Sequence, residues 1–139
     1  MRFTVVFIDR QLSYRPRQQR LRRILESAGR LLRAEGELAV VFTGDRAIRT
    51  LNARYRKKDY ATDVLSFPGE GGEEGLGDVV ISIPAAGRNA RKLGRNLDGE
   101  IEVLALHGLI HVLGHDHETD DGTMDRLEGR LRRRLLGTS

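Results

Sequence analysis

The chain has 139 residues, enough to bury a hydrophobic core without a disulfide or a structural metal. It contains no cysteine, which excludes disulfide frameworks, thiolate nucleophiles and cysteine-ligated zinc and leaves nitrogen and oxygen donors as possible metal ligands. Net charge is +4, and all 24 basic residues except Lys57, Lys58 and Lys92 are arginine, a balance that fits a polyanionic partner without selecting one.

Residues 3–8 (FTVVFI) predict a short buried strand. This apolar run is too short for a signal-peptide core or a membrane span, so a soluble cytoplasmic protein is expected. Over residues 16–34, Leu21, Ile24, Leu25, Ala28, Leu31 and Leu32 recur at helical spacing, and Pro16 suits the first turn. Residues 37–44 (ELAVVFTG) return as a strand, an order that predicts a parallel pair with a right-handed crossover. Asp45 is placed to cap a second helix that carries Ile48, Leu51 and Tyr55 and ends near Lys58. Residues 63–68 (DVLSFP) and 77–84 (GDVVISIP) are the next strands, a hairpin whose connection is rich in Gly and Glu. After Pro84 the chain predicts helix in three pieces, interrupted near residues 94–98 and 114–120. No internal repeat or linker divides it. One α+β domain over residues 1–139 is expected, a mixed sheet of about four strands packed with about five helices.

All four histidines fall in HGLIHVLGHDH, residues 107–117. Residues 101–113 are apolar almost all the way round, which places this helix in the interior. His107 and His111 are one turn apart, about 40° around the axis, so their imidazoles can converge on one point. Each alone reads as a core histidine satisfied by the backbone, but two adjacent buried imidazoles on an apolar helix are satisfied together by a divalent cation. Gly114 is placed to end the helix in a left-handed conformation and turn the chain back.

The spacing of His107, His111, Gly114 and His117 is HxxxHxxGxxH, the metzincin zinc pattern at three ligands and the turning glycine, which favours His117 over His115 as the third ligand. Gly108 stands where a zinc peptidase carries its water-activating glutamate, so peptide hydrolysis by that route is not expected. Zn²⁺ on three neutral imidazoles keeps its full charge and an open position, a Lewis acid suited to a phosphodiester. The expected zinc site thus sits on a buried helix and the loop after it. His115, Asp116, Glu118 and Asp120 are candidates for proton transfer or for bonds behind the ligands, and equally for plain loop and capping roles.

HGLIHVLGHDH resembles the zinc motif HGxxHLxGYDH of the YbeY family of bacterial endoribonucleases and rRNA maturation factors. Residues 51–68 (LNARYRKKDYATDVLSFP) are similar to its LNxxYRxKDxPTDVLSFP, and residues 75–82 (GLGDVVIS) to its LGDIxIS, in the same order and spacing. Ala61 replaces the proline of that pattern, and the match weakens toward both ends. The resemblance implies a metal-dependent endoribonuclease that prefers single strands, acting in small-subunit rRNA maturation and ribosome quality control. It implies one zinc ion on His107, His111 and His117, Arg56 as a residue needed for activity, and ribosomal RNA, with a ribosomal subunit or its proteins, as partner rather than a membrane.

Arg56 also has a case from chemistry, since a guanidinium at a helix end before a turn is well mounted to bind phosphate with two parallel hydrogen bonds. Lys57 and Lys58 beside it are expected to add electrostatic attraction for the substrate. Asp63 and Asp78 suit loop anchoring more than catalysis. The Arg-rich outer face of the first helix reads as solvated, and residues 130–134 meet the negative end of a helix dipole. Two other functions fit parts of the pattern: a zinc peptidase, from the metzincin spacing, and a non-catalytic ribosome assembly factor whose metal organises a binding surface.

Overall fold

The computed structural model describes residues 2–56, 62–69, 75–114 and 122–137, without the side chains of Arg56 and Met124. Four strands, β1 (Phe3–Asp9), β2 (Gly36–Thr43), β3 (Val64–Pro68) and β4 (Gly77–Ser82), form one mixed sheet in the order β1, β2, β4, β3. β2 runs parallel to both β1 and β4, and β3 pairs antiparallel with β4 at the edge. The described residues also form five helices: α1 (Gln18–Leu31), α2 (Asp45–Arg56), α3 (Ile83–Leu93), α4 (Leu97–Val112) and α5 (Thr123–Leu136). The α+β class and the mixed sheet are as the sequence predicts. The Gly- and Glu-rich tip of the hairpin, residues 70–74, lies outside the described residues.

Alternation along the strands divides the apolar side chains between two faces. Leu38, Val40 and Phe42 of β2 lie in register with Gly77, Val79 and Ile81 of β4, and this row packs against α1 and α4 in the main core. The intervening Val80, with Leu65 of β3, faces the other way and packs on Ile48 of α2. From Val103 on, α4 is apolar apart from its two histidines and mostly buried, and the helix contacts the sheet, α1, α3 and α5.

Tertiary bonds move three predicted boundaries. Pro16 lies ahead of α1 rather than in its first turn. The start of that helix is instead set by Asp98 of α4, which accepts hydrogen bonds from the Tyr14 hydroxyl at 2.5 Å and the Arg17 backbone N–H at 3.1 Å. Asp45 does not cap α2; the Gly44 carbonyl accepts the first helical bond, from Ile48 at 3.2 Å. Asp45 accepts a bond from Ser82 Oγ at 2.7 Å and pairs with Arg88 at 2.9 Å, and its carboxyl is held below the ordinary range chiefly by the Arg88 guanidinium. Ser82 in turn caps α3 by accepting from the Ala85 N–H at 3.3 Å, so β4 ends there and Ile83 and Pro84, expected in the strand, open the helix.

α4 also carries a buried carboxylate. Glu100 is 3% exposed, with Arg95 Nε 3.1 Å from Oε1 and Asn89 Nδ2 3.4 Å from Oε2. Asn89 also donates to Asp63 at 2.9 Å, which makes Asp63 an anchor between the start of β3 and α3. Burial pushes the Glu100 carboxyl above its ordinary pKa, against the opposing pull of Arg95 and Asn89. The folded protein therefore holds this proton more tightly than the unfolded chain does, and the group's contribution to stability falls as pH rises above the ordinary glutamate range. Glu100→Gln keeps the shape and removes the ionisation. Its melting temperature relative to wild type is expected to be higher at about pH 7 than at about pH 4; a difference independent of pH would contradict this.

Candidate metal centre

His107 and His111 occupy successive turns of α4, with ring centroids 4.4 Å apart and planes at 49°. Nε2 of His111 is shielded from solvent, while the His107 side chain is 29% exposed. The pair therefore sits where the buried helix meets the surface. Nδ1 of His107 lies 2.6 Å from Oε1 of Glu128, a residue of α5. An ionised carboxylate only accepts, so a proton on Nδ1 satisfies this contact and leaves the lone pair of the neutral ring on Nε2. One imidazole with its lone pair fixed, beside a second within the reach of a shared ion, is a donor set suited to a divalent cation.

Just beyond this pair the helix ends as expected. The Gly114 N–H donates to the His111 carbonyl at 3.0 Å, and Gly114 adopts φ 95°, a conformation that a residue with a Cβ rarely takes. His117, the expected third ligand, lies outside the described residues, as do His115, Asp116, Glu118 and Asp120. Among the described residues no group of three His, Cys, Asp or Glu side chains can hold a metal ion.

Gly108 has a role beyond the missing glutamate. A Cβ built on it would lie 2.5 Å from Cγ1 of Val79 and 2.9 Å from Cγ2, and Val79 is fully buried on β4. The Gly108 carbonyl accepts a bond from Ser66 Oγ of β3 at 3.1 Å. α4 thus rests directly on the sheet at this residue, and a side chain of any length must push the histidine helix away. In an open helix, Gly→Ala gains about 1 kcal/mol from propensity. Here Gly108→Ala is expected to lose about 1–3 kcal/mol through overpacking, read as a lower denaturation midpoint; a stabilised variant would contradict the close contact.

Arg56 is the last residue of α2, a helix whose Ile48 and Leu51 pack on the sheet face opposite α4. The two meet through β3: Tyr55 stacks edge-on against Phe67 at 5.7 Å, and the adjacent Ser66 bonds to Gly108 on the other side. Lys57 and Lys58 lie outside the described residues. Asp78 is exposed on β4, paired in register with Ala39 and Phe67. Glu128 was not singled out by sequence reasoning, although it interrupts an Arg-rich helix beside the inward-facing Leu127, Leu131 and Leu135.

A four-stranded mixed sheet packed with a buried helix that carries two adjacent histidines defines an α+β protein. The chain belongs to the YbeY family: the family model described as Endoribonuclease YbeY matches residues 8–135. Proteins named Endoribonuclease YbeY are similar to it. That of Solibacter usitatus is 54% identical over 95 residues, covering 68% of this chain and 63% of the relative. That of Koribacter versatilis is 44% identical over 118 residues, covering 85% and 77%, and that of Aquifex aeolicus 58% over 85 residues, covering 59% and 57%. The match thus spans less than two thirds of the Solibacter and Aquifex proteins. A protein from Thermotoga maritima, solved in solution, shares the fold with a TM-score of 0.68 at 22% identity, covering 96% of this chain and 90% of that one.

Proposed function

We propose that this protein is a metal-dependent endoribonuclease that cleaves single-stranded RNA, acting in the cytoplasm on small-subunit ribosomal RNA during maturation and ribosome quality control. The convergence of His107 and His111 at 4.4 Å, with the His107 lone pair turned from Glu128, carries this reading. The names of the relatives support the nuclease activity, and a ribosomal subunit or its proteins would present the RNA. No described helix is long and apolar enough to cross a membrane.

His107, His111 and His117 would hold one zinc ion. Bound there, the ion supplies Lewis acidity for activating water and the phosphodiester oxygen. The chain's own residues do the rest. Arg56, at the end of α2 by the β3 edge, binds the phosphate through its planar fork and offsets the negative charge that grows at the transition state. Lys57 and Lys58 draw the polyanion toward that edge. Unpaired nucleotides suit such a site because a single strand can bend a phosphate onto a recessed centre, which an A-form duplex resists.

The peptidase alternative loses ground at Gly108, where Val79 leaves no room for the glutamate that peptidase chemistry uses. Incubation with a labelled oligoribonucleotide in single-stranded and duplex forms tests the reading. Faster cleavage of the single strand is expected, and equal resistance of both forms in the presence of zinc would overturn it.

A further inference from the structure

We infer that Glu128 is a positioning residue of the metal centre: from α5, its carboxylate holds the His107 imidazole in the tautomer that presents Nε2 to the cation. The inference rests on the proposed zinc site. Glu128 Oε1 lies 2.6 Å from His107 Nδ1, and the Glu128 side chain is only 13% exposed, so water competes poorly for the bond. An imidazole free of such a bond divides its proton between two nitrogens and rotates about its Cβ–Cγ bond. The carboxylate removes both freedoms and makes Nε2 a stronger donor.

The bond also joins elements that the expected ligand set needs together. α4 carries His107 and His111, and α5 follows the segment that contains His117. Contact between α4 and α5 through Glu128 therefore fixes both helices flanking that segment. The neighbouring side chains of α5 strengthen the hold on α4: Leu131 is buried in the main core, with Leu127 and Leu135 packed against it. Glu128 thus projects from a helix already seated and reaches the histidine at little entropic cost.

Wild type, Glu128→Gln and Glu128→Ala are compared for zinc affinity, by competition with a chelating indicator, and for the His107 tautomer, by nitrogen NMR of the metal-free protein. Wild type is expected to carry the neutral-ring proton on Nδ1. Glu128→Ala is expected to lose this single tautomer and to bind zinc about 10- to 100-fold more weakly. Glu128→Gln, which keeps a neutral acceptor and the side-chain shape, is expected to lose less, and it decides the matter where the Ala variant fails to fold. Equal zinc affinity in all folded variants, or a wild-type His107 protonated on Nε2, overturns the inference. Failure of wild type to bind zinc at all overturns instead the metal-site reading beneath it.

Discussion

Replacement of His107 by Ala is expected to weaken zinc binding by about 10²-fold or more, and cleavage of single-stranded RNA is expected to disappear with it. Protein-bound structural zinc is worth about 10–16 kcal/mol over four ligands, so one ligand carries roughly 3 kcal/mol. The change also removes the imidazole whose Nδ1 lies 2.6 Å from Glu128 Oε1. Loss of a hydrogen bond to a charged group costs about 1.5–3 kcal/mol, so the metal-free variant should also melt earlier than wild type. Undiminished cleavage by a folded His107→Ala protein would remove the imidazole pair from the mechanism.

Arg56→Ala should separate substrate chemistry from metal binding. Loss of one preorganised donor to transition-state charge typically costs about 10²–10³ in rate, and cleavage should fall by that order while zinc affinity and melting temperature stay near wild type. Arg56→Lys keeps the charge but loses the planar fork and should recover only part of the rate. Cleavage at the wild-type rate by Arg56→Ala would reduce that arginine to an ordinary helix-end residue. A parallel fall in zinc affinity would assign it instead to the architecture of the site.

The elements that mattered most were legible because their signals are local. Residues 103–112 of α4 are apolar apart from the two histidines and the strands alternate, so the buried histidine helix and the sheet follow from periodicity. Gly114 is legible for the same reason, since a glycine after an apolar helix is the usual left-handed stop. What escaped depends on partners far along the chain. The start of α1 is set by Asp98, 81 residues beyond Arg17, and spacing near Pro16 carries no trace of that bond. Glu128 meets His107 across 21 residues, between helices, where the periodicity of neither shows the other. Gly108 was legible as the loss of a peptidase glutamate, but its contact with Val79 needed the packing of α4 on β4.

The proposed metal-dependent ribonuclease centre on the histidine helix is tested most directly by cleavage of one single-stranded oligoribonucleotide by the same preparation before chelation, after removal of its metal, and after return of one equivalent of zinc. Cleavage, its loss and its recovery are expected in that order, with no cleavage at any stage by His107→Ala. Cleavage that persists in protein shown by elemental analysis to be free of metal would contradict it.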